Sequence, residues 1–356
     1  MNLPNAWFVL LAFFWSAYFV LEGFDFGVGM LLPFVPRGER ERGAMFETIG
    51  PVWDGNEVWL VIAGAATFAA FPAWYGTMFS GFYLAFLLIL FFLMIRVVSF
   101  EWREKLKATS WRWLWLWANF VGSVGIPLVW GVGFSCLLHG LALDSSGVYT
   151  GNFADLFTGY TVLGGIAFVL LFAFHGATFL TLRTTGDLYD HARSAARGLA
   201  IPAVVVGAAY LAWTVKVAVD RNDQNVFPPV LPAAIAAAAF VLAVIFVFAG
   251  KNAISFALSV VGTVAIVATL FTSLYPRVMV SYPDFGNSLT VSGSASAHYT
   301  LAAMSVVALI CVPIILLYEA WTYYVFRARV TGEPVELTGD GRAPSPGPAA
   351  SAAGQR

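Results

Sequence analysis

Nine apolar stretches dominate this sequence, and each is long enough to cross a lipid bilayer as a helix. A helix rises about 1.5 Å per residue, so roughly 20 apolar residues span a hydrocarbon core of about 30 Å. The chain is 60% hydrophobic and only 11% charged, whereas soluble domains carry about 25% charged residues. We therefore predict an all-α integral membrane protein whose nine spans cover residues 7–34, 56–74, 79–98, 114–138, 160–182, 199–219, 229–249, 253–275 and 300–326.

The basic residues predict how these spans are oriented. Nine spans place successive loops on alternate sides of the membrane. With the N-terminus outside, all but three of the 19 Lys and Arg residues fall inside, the exceptions being Lys216, Arg221 and Arg277. This bias follows the positive-inside rule. It predicts an N-out, C-in transmembrane domain over residues 1–327, followed by a disordered cytoplasmic tail over residues 328–356 that is rich in Pro, Gly, Ala and Ser.

Two pairs of acidic residues interrupt the apolar stretches near the start of the chain. Glu22 and Asp25 lie inside the first span, and Asp54 and Glu57 lie at the mouth of the second. Both pairs have a spacing of three residues, so each pair shares one face of a helix. A carboxylate in a membrane costs roughly 2.5 kcal/mol or more on insertion scales, so it marks a functional site or needs a partner side chain. We predict a proton pathway through these four acids.

Two structural explanations compete with this hypothesis. In one, the first acidic pair is neutralised by a basic side chain such as Arg96 and serves only for packing. In the other, Asp54 caps its helix and is stabilised by the helix dipole. Capping does not account for the nearby Trp53 and Trp59, nor for a second acid on the same face. Proton conduction is therefore the preferred interpretation of the second pair.

Composition and motifs argue against several other classes of protein. The net charge of −1 argues against a nucleic-acid partner. The sequence contains no nucleotide-binding loop, serine-hydrolase or zinc-protease motif. Of its four histidines, only His175 lies well inside a predicted span. Axial haem ligation needs His, Met or Cys on facing helices, so we expect this chain itself to ligate neither haem nor metal.

Two motifs in the first half of the chain closely resemble subunit II of the cytochrome bd quinol oxidases. They are residues 23–29 (GFDFGVG) and residues 50–60 (GPVWDGNEVWL). The resemblance extends over nearly the whole chain before the tail, through residues 79–83 (FSGFY), 151–153 (GNF), 287–290 (NSLT) and 321–327 (WTYYVFR).

The resemblance implies a non-haem subunit of an enzyme that oxidises quinol and reduces oxygen to water. In that family two related chains form a heterodimer, and each has nine helices arranged as two four-helix bundles plus one peripheral helix. The partner, subunit I, holds haem b558, haem b595 and haem d. Some members add a small accessory subunit or a structural quinone. The implied location is the bacterial cytoplasmic membrane, in contact with its lipids.

The same resemblance implies roles for individual residues. Asp54 matches the acid of a proton path that leads from the inner side toward the partner's haems, and Asp25 matches a buried family acid. Trp53, Trp59 and Arg96 are expected to shape the structural environment of those haems.

Two other functions are compatible with buried acids. A proton-coupled secondary transporter also uses them, but the chain shows neither a clear internal repeat nor a broken-helix signal inside its spans, which disfavours a transporter. A purely structural assembly subunit would use Asp54 and Asp25 for packing only. A quinol oxidase subunit that scaffolds its partner and supplies a proton route is the preferred hypothesis.

Overall fold

The computed structural model describes residues 2–221 and 228–332, which are mostly helical. The helices in these ranges are α1 (Leu3–Leu31), α2 (Glu39–Ile49), α3 (Trp53–Ala70), α4 (Pro72–Gly81), α5 (Tyr83–Trp102), α6 (Thr109–His139), α7 (Gly159–Arg183), α8 (Gly186–Arg221), α9 (Val230–Phe248), α10 (Asn252–Leu274), α11 (Val291–Ser294) and α12 (His298–Val325). Short 3₁₀ helices cover Phe153–Leu156 and Phe285–Asn287.

Four very short strands lie in the connections between helices. Strand β1 (Thr184–Thr185) pairs in parallel with β4 (Val330–Thr331), and β2 (Arg277–Met279) pairs antiparallel with β3 (Leu289–Thr290). Strand β4 joins the chain that follows α12 to the turn between α7 and α8. It lies in the first residues of the predicted tail. The rest of that tail, residues 333–356, lies outside the described residues.

Eight helices in the described ranges are each long and apolar enough to cross a membrane, and the number rises to nine if α3 and α4 form one bent span. The expectation of a continuous second span over residues 56–74 is wrong. α3 and α4 meet at an angle of 118°, because Pro72 lacks a backbone N–H and keeps Phe71 out of the helical conformation. This break also corrects the expectation that no span is interrupted.

α2, which lies between the first two spans, is not predicted from the sequence. It is short and carries several charges, so it does not resemble an apolar span. One face, formed by Ala44, Met45 and Ile49, is buried, while Glu39 and Arg40 at its start are exposed. The helix therefore lies against the ends of the spans rather than among them.

α1 is the central helix of the fold. It packs against α3, α6, α7 and α10, and nearly all of its residues from Phe14 onward are buried or half-buried. Its crossing with α7 depends on glycine. A Cβ at Gly27 would lie 2.0 Å from the carbonyl oxygen of Phe172 and 2.7 Å from Cα of Gly176, so the two backbones are in direct contact, as small residues allow in membrane proteins.

α12 lies at the edge of the described structure. Only Leu301 and Glu319 of this helix are buried, and it packs mainly against α1 and α3. Most of its apolar side chains therefore face away from the rest of the chain.

Replacing Gly27 by Val should destabilise the protein by about 3 kcal/mol or more, because the added methyl groups overlap backbone atoms that cannot move aside. The measurement is the thermal unfolding temperature of the purified protein in detergent. Gly198→Ala is the matched control, since a Cβ at Gly198 meets nothing within 4 Å. Equal unfolding temperatures for the two variants would contradict the close crossing of α1 and α7.

Candidate functional site

Arg96 of α5 lies at the centre of the buried charges. Its side chain is fully buried, and Nη1 lies 3.2 Å from Oε2 of Glu22 in α1, which is also fully buried. The ring centroids of Phe26 and Phe100 lie 4.8 and 5.3 Å from the guanidinium carbon. Pairing removes most of the cost that either charge alone would carry in a membrane interior. This is the ion pair expected if Glu22 is neutralised by Arg96 and serves only for packing.

Asp25 is held by an amide. Nδ2 of Asn56 in α3 donates to Oδ2 of Asp25 at 2.7 Å, and the hydroxyl of Tyr323 in α12 donates to Oδ1 of Asn56 at 2.6 Å. Asn56 thereby joins three helices. Because an amide carries no charge, a search of the apolar stretches for charged residues passes over it. Its position in residues 50–60, the motif that resembles the family, two residues after Asp54, is the signal that the sequence offers.

The second acidic pair connects the buried charges to the start of α3. Asp54 is exposed in the first turn of that helix. Glu57 is partly buried one turn further on, and it interacts electrostatically with Arg96 and with Asp54. Glu22 and Asp25 in turn interact with Glu57. The four predicted acids therefore lie close enough to interact electrostatically, from the surface at Asp54 to the interior of α1, and we call this group the acidic cluster.

Glu319 of α12 is a fifth acid beside the acidic cluster. Its side chain is buried and interacts electrostatically with Asp25. A Cβ at Gly55 would lie 2.9 Å from Oε1 of Glu319. The absence of a side chain at Gly55 therefore allows the Glu319 carboxylate to pack against α3.

The two predicted tryptophans lie in different surroundings. Trp53 stacks on Phe100, with 5.5 Å between ring centroids, and Phe100 in turn covers Arg96. Trp59 is buried against Phe13 of α1 at 6.0 Å. The structure therefore brings Trp53 next to the acidic cluster, whereas Trp59 packs in the apolar interior.

Several polar atoms at the centre of the cluster have no hydrogen-bond partner among the described residues. They are both carboxylate oxygens of Glu22, all three guanidinium nitrogens of Arg96 and Oδ1 of Asp25. The ion pair of Arg96 with Glu22 is close, but its alignment is not that of a hydrogen bond. Buried polar atoms normally bond to protein groups or to internal water. The cluster therefore has the free capacity to bind water, which a proton path through it would need.

A polar cavity of about 470 Å³, which we call the vestibule, opens beside the cluster where α2, the end of α5 and the start of α6 meet. Arg103 is almost fully buried there and forms ion pairs with Glu39 and Glu104. Arg112 pairs with Glu104 at 3.2 Å. Burial works against ionisation of Glu39, but the guanidinium groups of Arg103 and Arg42 outweigh it and hold the pKa of Glu39 below its usual value.

His175 is a buried histidine of the helix interior. Its Nδ1 lies 2.7 Å from Oγ of Ser259, and its Nε2 lies 3.0 Å from the carbonyl oxygen of Val20. Both ring nitrogens are thus engaged by groups of this chain. Within residues 2–221 and 228–332, no three His, Cys, Asp or Glu side chains form a group that could hold a metal ion.

Comparison with known proteins decides the family. A family model described as cytochrome bd terminal oxidase subunit II matches residues 3–326. The chain belongs to this family. The resemblance seen in the sequence motifs is confirmed.

Two relatives and one solved structure show how close the match is. The chain is 40% identical over 333 residues to the cytochrome bd ubiquinol oxidase subunit 2 of Bacillus subtilis (strain 168), covering 93% of this chain and 97% of the relative. It is 36% identical over 365 residues to the cytochrome bd-I ubiquinol oxidase subunit 2 of Escherichia coli (strain K12), covering 93% and 96%. The bd oxidase from Geobacillus thermodenitrificans has a similar fold, with a TM-score of 0.70, 18% sequence identity, and coverage of 92% of this chain and 99% of that chain.

Membership of this family makes the chain subunit II of a cytochrome bd quinol oxidase, a terminal oxidase complex of respiratory membranes and an oxidoreductase. The transporter alternative is not favoured. The family implies haem and quinol in the complex, and a partner subunit I.

The contacts of Asn56 predict that substitutions of Asn56 and Tyr323 have non-additive effects on stability. Asn56→Leu should destabilise the complex by about 1–3 kcal/mol, because two buried polar groups lose their partner. Tyr323→Phe alone should cost about 1 kcal/mol, and close to nothing once Asn56 is already Leu. Thermal unfolding of all four proteins in detergent measures the coupling, with the exposed Tyr324→Phe as control. Strictly additive losses would show that the amide and the hydroxyl are not bonded.

The vestibule predicts a pH-dependent stability difference between the wild type and Glu39→Gln. Because the pKa of Glu39 is lower in the folded protein than the roughly 4.3 of an unfolded chain, its stabilisation is complete above about pH 4.3 and is lost as the pH falls below it. At pH 7 and low salt the wild type should unfold at the higher temperature. The difference should shrink in acid and in high salt. Glu47→Gln, on an exposed carboxylate of the same helix, should show no such trend; a difference independent of pH would contradict the ion pairs.

Proposed function

We propose that this chain pairs with a haem-bearing subunit I in the bacterial cytoplasmic membrane, scaffolds it, and supplies a route by which protons from the inner side reach the partner's haems. The observation that carries this proposal is the acidic cluster, which runs from the exposed Asp54 to Glu22 and Asp25, buried beside Arg96 and Asn56. The relatives' names identify them as ubiquinol oxidase subunits, which supports quinol as the electron donor.

The packing supports a finer architecture of two four-helix bundles plus a peripheral helix. α1 contacts α3 and α6, and α6 contacts α5; α7, α8, α9 and α10 contact one another in succession, and α7 packs against α1 and α6 where the two groups would meet. The exposed α12 would be the peripheral helix. The excess of basic residues on one side supports an N-out, C-in orientation. Asp54, the vestibule and the tail over residues 328–356 would then all lie on the cytoplasmic side.

In this proposal the cluster binds and passes protons, while the oxidation and reduction steps take place elsewhere. Haem b558, haem b595 and haem d would be bound by subunit I, and haem d supplies the oxygen chemistry when bound there. Asp54 takes up protons from solvent, and Glu57 passes them to Glu22 and Asp25. Three of these acids share the single positive charge of Arg96, so the ionised cluster has an excess of negative charge that attracts a proton. Arg96 also fixes the position of Glu22.

A structural quinone would fit an apolar cavity lined by residues of α1, α3, α4, α5 and α6. The cavity has a volume of about 150 Å³, is lined by Trp15, Phe86 and Trp130, and reaches the exposed surface at Leu90. A smaller neighbouring cavity, which shares Trp15, Phe86 and Trp130, is lined by Trp74, whose buried indole N–H has no hydrogen-bond partner among the described residues. An apolar cavity of roughly 150 Å³ holds a benzene-sized ring. The ring of a quinone would sit there with its tail in the lipid, and the indole would donate to a ring carbonyl.

Asp54→Asn tests the proton route. It should lower quinol oxidase turnover of the purified two-subunit complex by about tenfold or more, because the first proton-accepting group is removed. Haem content, measured by the optical spectrum, should stay unchanged, since Asp54 is exposed. Asp187→Asn, on another exposed acid, is the control and should leave turnover unchanged. Loss of haem would instead indicate an assembly role, and a colourless single chain that moves a solute would contradict the oxidase function itself.

A further inference from the structure

The vestibule and the acidic cluster are separated by a single layer of aromatic rings. Phe46 and Phe100 line the vestibule, and both rings are partly exposed. On the vestibule side, the guanidinium carbon of Arg103 lies 5.2 Å from the ring centroid of Phe46. On the buried side, that of Arg96 lies 5.3 Å from the ring centroid of Phe100. Water in the vestibule is therefore one ring away from a buried ion pair.

Behind this layer lie Arg96 and Glu22, whose side chains can form further hydrogen bonds. Within the described chain, neither Arg96 nor Glu22 has a hydrogen-bond partner for its side chain, although the two form an ion pair at 3.2 Å. Water that passed Phe100 would find five buried polar atoms to bond. Such water is enthalpically nearly as favourable as a direct hydrogen bond.

Phe100 is partly exposed, and its ring faces the vestibule. It lies between the ring of Phe46, edge to face at 5.7 Å, and the ring of Trp53, stacked at 5.5 Å. These contacts define the closed position of the ring. Exposed side chains change rotamer in picoseconds to nanoseconds, and the opening proposed below need only be fast compared with enzymatic turnover.

We propose that the vestibule is a second proton inlet, gated by Phe100, which delivers protons to Glu22 without passing Asp54. This inference rests on one part of the proposed function, namely that Glu22 passes protons inward. When the ring swings aside, a file of water connects the vestibule to the Glu22 carboxylate. One proton enters the file from bulk water for each proton that Glu22 passes on, so no redox partner is needed.

The charges that line the vestibule balance formally. They are three arginines and three glutamates: Arg40, Arg103, Arg112, Glu39, Glu47 and Glu104. Behind the ring, Arg96 pairs with Glu22, so the inlet presents no net positive charge to an incoming proton. Asp54 does not line the vestibule, so the two mouths are different surfaces.

A cysteine label in the vestibule tests the inlet in the intact two-subunit complex. Gly43 lines the vestibule, and Gly38 precedes the same helix outside it. A Cβ at either position meets nothing within 4 Å. Both cysteine variants carry Cys311→Ala, which removes the exposed native thiol. Each is made in the wild type and in Asp54→Asn. Each complex is assayed for turnover and haem content before and after reaction with a quaternary ammonium methanethiosulfonate, a bulky cationic reagent.

Labelling Gly43→Cys should cut the residual turnover of Asp54→Asn by about threefold or more, because bulk and positive charge keep protons out. Labelling Gly38→Cys should leave this turnover unchanged. It is the control for labelling of other thiols in the complex. Phe100→Ala in Asp54→Asn should raise the residual turnover. If that variant loses haem, the labelling decides alone.

Two results would overturn the inlet. One is equal turnover after labelling at Gly43→Cys and Gly38→Cys in Asp54→Asn. The other is complete loss of turnover in unlabelled Asp54→Asn with haem intact, since a second inlet must leave some activity. If unlabelled Asp54→Asn matches the wild type, the proposed role of Asp54 fails, and the effect of the label at Gly43→Cys still decides the inlet separately.

Discussion

The ion pair between Arg96 and Glu22 is the interaction on which the arrangement of the buried charges depends. Either residue alone would be too costly inside a membrane, so α1 and α5 must be linked where the two meet. Phe26 and Phe100 then cover the guanidinium group. Trp53 stacks on Phe100, which positions the start of α3 and the acids that follow it. One electrostatic requirement in α1 thus determines where the acids of α3 lie.

Much of the fold follows from the apolar stretches of the sequence. Lipid imposes one solution on a long apolar segment, because every backbone polar group must be bonded within the helix. Eight long apolar helices in the described residues therefore correspond to predicted stretches, while the stretch over residues 56–74 is divided between α3 and α4. Residue spacing also predicted that each acidic pair shares a face, and family resemblance pointed to Arg96.

Other features could not be predicted from the sequence, for physical reasons. α2 has the composition of a surface loop, and its helix is stabilised by burying Ala44, Met45 and Ile49 against the ends of other helices, a tertiary effect. The bend at Phe71 depends on how neighbours accommodate Pro72, since proline lies inside α6, α8 and α12 without such a break. Asn56 is uncharged, and only its distances to Asp25 and Tyr323 reveal its place.

The Asn56 amide also limits where the proposed proton route can run. A carboxylate or a water molecule can accept a proton on one side and release another on the opposite side, whereas a side-chain amide keeps its two donor hydrogens and does not titrate. Asn56 fills the space between Asp25 and Tyr323, whose helix faces outward from the fold. In the proposed proton route, Asn56 would therefore block proton transfer from Asp25 towards Tyr323 and α12.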